Sequence, residues 1–220
     1  MIYLIAALIF AALTALATWK KNRGLEFIAK PAVMVLLLLY LWTSAGLNGA
    51  LLWFALGMFF SLIGDVLLLW LDRMFLFGLI SFLLAQIAYL VGFNSPPSEV
   101  SLWGLAMAVI VAVGSARVLR RILSALAEKG NTRMRIPIVV YGLVITLMLL
   151  SAMLKLTDPT WGAGASLLVA LGAFLFYLSD IVLAWLKFVT PIQNGRVINI
   201  GLYHLGQICI AAGVVMQFHG

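Results

Sequence analysis

The chain has 220 residues, 65% of them hydrophobic and only 10% charged, against about 25% charged in a soluble domain. That composition, with a mean hydropathy of +1.17, excludes a water-soluble globule, a disordered chain and a coiled coil. The net charge of +7 fits loops that face a cytoplasmic leaflet better than a nucleic-acid surface, and the single cysteine, Cys209, excludes an intramolecular disulfide framework and a cysteine metal cluster.

A helix needs about 20 apolar residues to cross the hydrocarbon core of a bilayer. In chain order the sequence offers eight such runs: 2–19, 27–45, 50–71, 74–93, 102–119, 136–154, 161–186 and 196–218. Turn-forming or charged segments separate them. These are Lys20 to Gly24, Ser44 to Gly49, Asp72-Arg73, Asn94-Ser95-Pro96-Pro97, Glu128 to Arg135, Asp158-Pro159 and Pro191 to Gly195. The first run has no Lys or Arg ahead of it, so it is read as a retained helix rather than a signal peptide. The expected fold is an all-α polytopic membrane helix bundle of eight transmembrane helices, one integral membrane domain over residues 1–220.

Charge sets the expected orientation. The connections after spans 1, 3, 5 and 7 hold Lys20, Lys21, Arg23 and Lys30, then Arg73, then Arg117, Arg120, Arg121, Lys129, Arg133 and Arg135, then Lys187 and Arg196. Of the fourteen basic residues only Lys155 lies on the other side. The positive-inside rule then makes those four connections cytoplasmic and places both termini outside, in the periplasm, for a multi-pass protein of the inner membrane.

Two acidic residues fall where lipid should be. Asp65, in Gly64-Asp65-Val66-Leu67-Leu68-Leu69-Trp70, and Asp180, in Ser179-Asp180-Ile181-Val182-Leu183-Ala184-Trp185, interrupt spans 3 and 7. An intramembrane carboxylate is disfavoured by about 2.5–3.5 kcal/mol even on the lenient insertion scale, so it normally faces a polar cavity. Asp65 precedes Arg73 by eight positions and Asp180 precedes Lys187 by seven, which puts both roughly 10–12 Å inside the basic end. His204, eight positions along span 8 from Arg196, reaches the same depth. Lys30 stands just before Pro31, a residue suited to a first helical turn. A cation at a helix N-terminus opposes the helix dipole, so an anionic partner is expected for it. Two stripes add polar groups: Gly78, Phe82, Gln86 and Tyr89 on span 4, and Asn199, Tyr203 and Gln207 on span 8. The segments starting at Asp65 and Asp180 also match each other at Asp, Leu, Trp and Leu, which points to a parallel repeat of four helices.

The ordered set resembles the YhhN-like (TMEM86) family of membrane proteins, which includes the lysoplasmalogenases. It consists of Lys30-Pro31, Gly64-Asp65 with Leu68, Phe75-x-x-Gly78-x-x-x-Phe82-x-x-x-Gln86-x-x-Tyr89, Ser179-Asp180-x-x-Leu183-Ala184 and Tyr203-His204-x-x-Gln207. Gln86 stands where that family usually has histidine. The resemblance implies hydrolysis of the vinyl ether of lysoplasmalogens, giving a fatty aldehyde and a glycerophosphoethanolamine or glycerophosphocholine. An enol ether is cleaved by protonation at carbon followed by water attack on an oxocarbenium ion, and two carboxyls in different environments can divide those tasks.

The expected roles follow. Asp65 and Asp180 form the acid/base pair, Lys30 contacts the lipid phosphate, and Gln86, Tyr89, Asn199, Tyr203, His204 and Gln207 position substrate or water. The expected partners are a lysophospholipid and membrane lipids, with no nucleic acid. Asp65, Asp180 and His204 are all metal-ligand types, but no compact spacing such as HExxH accompanies them, and neither metal nor cofactor is expected. The rival reading is a proton- or cation-coupled transporter or lipid translocator that uses the aspartate pair. Against it, the outer halves of spans 3 and 7 contain no ionisable residue to continue a path. A structural assembly subunit is a third reading and leaves the polar layer without a purpose.

Overall fold

A computed structural model describes residues 1–97 and 101–219. Its long helices are α1 (Ile2–Trp19), α2 (Arg23–Ala45), α3 (Ala50–Leu68), α4 (Leu71–Phe93), α5 (Leu102–Glu128), α6 (Arg135–Leu154), α7 (Ala163–Ala184) and α8 (Gly195–Phe218). All eight are long and apolar enough to cross a membrane. The described residues form no strand. The chain is a multi-pass membrane protein.

Three boundaries differ from those read off the sequence. The Arg23-Gly24-Leu25-Glu26 segment is not a loop: Asn22 caps it, accepting from the Leu25 amide at 3.2 Å, so α2 starts at Arg23. Pro31 therefore lies inside the helix instead of at its start, and Lys30 is two turns in. Glu26 is buried, not a loop charge, and pairs with Arg196 at 2.8 Å. The second difference is the Asp72-Arg73 break. Only Leu69 and Trp70 separate α3 from α4, and Asp72 and Arg73 fall in the first turn of α4; the side chains of residues 71–73 are outside the description, as are Ser98, Glu99 and Val100 of the next connection. Third, α5 continues through Arg117, Arg120 and Arg121 to Glu128. Those three arginines sit exposed on a helix face, not in a connection.

Small residues bring the central helices together. A Cβ on Gly172 would stand 2.7 Å from the Gly206 carbonyl oxygen, and one on Gly206 would stand 2.8 Å from the Gly172 oxygen, so α7 and α8 touch backbone to backbone. On α3, Gly57 and Gly64 are covered by the rings of Tyr89 and Phe82. The α4 stripe expected to be polar thus splits: Phe82 and Tyr89 lie on α3, and Gln86 reaches across to α7. Rings fill the centre of the bundle. Phe82 meets Tyr203 edge-on at 5.7 Å and Phe176 at 6.2 Å, and Tyr89 meets Phe176 at 6.4 Å.

Candidate functional site

The two aspartates occupy separate settings and share no hydrogen-bond or ion-pair partner among the described residues. Asp65 is fully buried. Its Oδ1 lies 3.2 Å from the Lys30 ammonium of α2, and its Oδ2 accepts from the Tyr203 hydroxyl of α8 at 2.8 Å. The anionic partner expected for Lys30 is thus within the protein, although Lys30 was given the lipid phosphate as its partner. With the residue 7% exposed, its ammonium is occupied by Asp65, because a buried charge is stabilised by the nearest opposite one.

Asp180 is partly buried and has only neutral partners. Gln86 of α4 donates to its Oδ2 at 3.0 Å, and the Tyr141 hydroxyl of α6 donates to the same oxygen. Its Oδ1 has a different neighbour. The Ser179 hydroxyl donates to it only at 3.4 Å and is shared with the Phe176 carbonyl at 2.8 Å. Oδ1 is therefore the more weakly held of the two oxygens. Asp180 is also the one carboxyl in the wall of a cavity of about 330 Å³. The remaining wall is nearly all apolar, from Phe75 and Leu79 on α4, Leu119 and Ile122 on α5, Ile138 and Ile145 on α6, and Leu183 on α7. Asp65 is not part of that wall.

The other expected site residues divide between these settings. Tyr89 donates to Gln207 Oε1 at 2.6 Å, and Gln207 Nε2 donates to Ser61 at 3.2 Å, a closed buried relay between α4, α8 and α3. Asn199 donates to the Ser179 carbonyl at 2.7 Å and so fixes the turn that carries Asp180. His204 is 1% exposed, and neither ring nitrogen has a partner; Gln86 Oε1 is likewise buried and unpartnered. Buried groups in that condition normally hold water or ligand. No three His, Cys, Asp or Glu side chains among the described residues converge as metal ligands, so Asp65, Asp180 and His204 do not form a set.

Tyr141 and Ser61 were missed. Tyr141 follows Arg135 by six positions, so the depth count that found Asp65 and Asp180 reaches it as well. Ser61 continues the small-residue spacing of Gly57 and Gly64.

Partner geometry follows one rule at both carboxyls. Asp65 on α3 is held from α2 and α8, and Asp180 on α7 is held from α6 and α4. Each is gripped by the helix before its own and by one from the other half of the chain.

Comparison with known proteins agrees with these motifs. The YhhN family profile matches residues 25–214. Human lysoplasmalogenase TMEM86B is 29% identical over 150 residues, covering 68% of this chain and 58% of that protein. Mouse lysoplasmalogenase TMEM86B is 29% identical over 175 residues, 79% of this chain and 68% of that one. Human lysoplasmalogenase TMEM86A is 28% identical over 162 residues, 72% and 63% respectively. This chain thus spans about three-fifths to two-thirds of the length of these relatives. No solved structure matches. With the profile covering most of its length, the chain belongs to the YhhN family.

Proposed function

We propose that this protein is a lysoplasmalogenase, hydrolysing the vinyl ether of lysoplasmalogen to a fatty aldehyde and a glycerophosphodiester. The observation that carries the reading is Asp180, a carboxyl with one weakly held oxygen, set into the wall of a mostly apolar cavity. The relatives named lysoplasmalogenase supply the reaction class.

In this reading the alkenyl chain lies in the cavity and Asp180 is the acid. Its Oδ1 gives a proton to the alkene carbon distal to the ether oxygen, leaving an oxocarbenium ion. Water adds to the carbon that bears oxygen, and Asp180 takes a proton from it. The hemiacetal collapses to aldehyde and a glycerol hydroxyl. One water is consumed and the carboxyl is restored. Gln86 orients that water through its unpartnered Oε1 while its amide holds Asp180. Asp65, paired with Lys30 and held by Tyr203, is the second carboxyl of the pair.

The finer architecture is part of the same proposal. The basic end faces the cytoplasm, both termini lie outside, and the protein resides in the inner membrane. The matched grip on Asp65 and Asp180 supports a parallel repeat in which α2, α3 and α4 correspond to α6, α7 and α8.

Purified Asp180→Asn and Asp65→Asn proteins in liposomes test the roles, with lysoplasmalogen as substrate and aldehyde release as the readout. Asp180→Asn is expected to lose roughly 10²–10⁴-fold in turnover, the range for a general acid, and Asp65→Asn less. Wild-type turnover in a folded Asp180→Asn protein refutes the assignment. Gradient-driven flux without cleavage in the same liposomes replaces the enzyme with the transporter.

A further inference from the structure

A second cavity, of about 500 Å³, opens where α1 and α7 end and α2 and α8 begin. It lies apart from the Asp180 cavity; the two share no wall residue. Its chemistry is that of an anion site. Lys21, Arg23 and Arg196 line it, with Glu26 the one carboxylate, already bonded to Arg196 Nη2 at 2.8 Å. Two helix N-termini border it, and no side chain caps α8. The Gly195 and Val197 amides donate to the Ile192 and Asn194 carbonyls at 2.9 Å, so the start of α8 contributes chiefly the positive end of its dipole. One more feature points to an occupant. Thr18, on the wall, is 6% exposed, and its hydroxyl oxygen has no hydrogen-bond partner. Its neighbour Thr14 gives its hydroxyl to the carbonyl one turn back, as threonine in a helix normally does, so the Thr18 hydroxyl stands out as unused.

We infer that this cavity is a phosphate-binding site that takes the phosphodiester of a lysolipid headgroup. Arg23 and Lys21 supply charge-assisted hydrogen bonds, Thr18 a neutral one, and the start of α8 the positive end of its dipole. Glu26 holds Arg196 in place and leaves net positive charge on the wall. The cavity is also well placed for the headgroup of a substrate. Lys30 is one turn past Glu26 on α2, about 6 Å inward, and Asp180 is six residues before the wall residue Leu186 on α7, about 9 Å inward. Naming the lysolipid as the carrier rests on the proposed function; the phosphate site itself rests on the cavity alone.

The test uses full-length protein in detergent and a saturated 1-O-alkyl lysophosphatidylcholine, which has no vinyl ether and is not turned over. Binding is measured for wild type, Arg23→Gln, Lys21→Gln and Thr18→Val, with 1-O-alkylglycerol as the phosphate-free control. Each Gln variant is expected to weaken the phosphate-bearing lipid by roughly tenfold and to leave the alkylglycerol unchanged. Thr18→Val, which retains the shape of the side chain, is expected to weaken it by less. Competition separates the sources. Displacement by glycerophosphocholine alone identifies a headgroup site, and displacement by inorganic phosphate as well identifies a site for phosphate as such; both support the inference. Equal binding of the phosphate-bearing lipid by wild type and both Gln variants, with their thermal midpoints unchanged, overturns it. Asp180→Asn is expected to bind normally, so a failure of the catalytic reading and a failure of this site give different results.

Discussion

The Lys30–Asp65 pair offers the sharpest test of how the bundle is held together. At 3.2 Å two unit charges attract by about 5 kcal/mol at an effective dielectric constant near 20. Both are withdrawn from solvent, so removing one strands the other. Lys30→Met or Asp65→Leu alone is expected to destabilise by about 3–5 kcal/mol. The double variant strands no charge. What remains is the Tyr203 hydroxyl, which loses its acceptor at 2.8 Å, a loss of about 1–3 kcal/mol. The double variant should therefore be more stable than either single one. Denaturant titration of the four proteins in micelles, followed by tryptophan fluorescence, measures the cycle. A double variant that loses the sum of the two single losses refutes the reasoning, because the charges would then act independently. The same double variant in the aldehyde assay separates roles: folded and inactive, it assigns the charge of Asp65 to the chemistry; folded and active, it leaves Asp65 to the scaffold.

Two further outcomes concern packing and the buried relay. Gly172→Ala must push the contact to the Gly206 oxygen from 2.7 Å to at least 3.4 Å, so α7 and α8 separate and stability falls by about 1–3 kcal/mol, read as a lowered thermal midpoint; an unchanged midpoint refutes the close approach. Tyr89→Phe leaves Gln207 Oε1 buried without its 2.6 Å donor and is expected to destabilise by about 1–3 kcal/mol, with Ser61→Ala milder because that bond is 3.2 Å long.

The number and order of helices were legible because each depends on a local property, the length of an apolar run. The Asp72-Arg73 break was overdrawn for the same reason: two charges look like a loop, yet a first helical turn at a membrane edge accommodates them. Lys30 was recognised as a cation needing an anion, but its partner lies thirty-five positions away on another helix, and hydropathy does not say which helix faces meet. Tyr141 was invisible to periodicity because no second polar residue on α6 shares its stripe. The α8 stripe was legible as a polar face, but its division of labour was not. Asn199 bonds the α7 backbone, Tyr203 serves Asp65, and Gln207 joins α3 to α4.

The same local motif, an aspartate two turns from the basic end of an apolar helix, has been placed in two different electrostatic settings. Around Asp65 the preceding helix contributes a cation; around Asp180 the preceding helix contributes a tyrosine hydroxyl. A lysine beside a carboxylate neutralises it within the bundle and fixes its charge. A tyrosine and a glutamine hold the carboxyl in place without a countercharge, and they bind one oxygen only. That leaves the second oxygen of Asp180 with only the 3.4 Å contact from Ser179, on a residue in the wall of a mostly apolar cavity. In the proposed function these neutral partners are what lets Asp180 exchange a proton, while the ion-paired Asp65 ties α2 to α3.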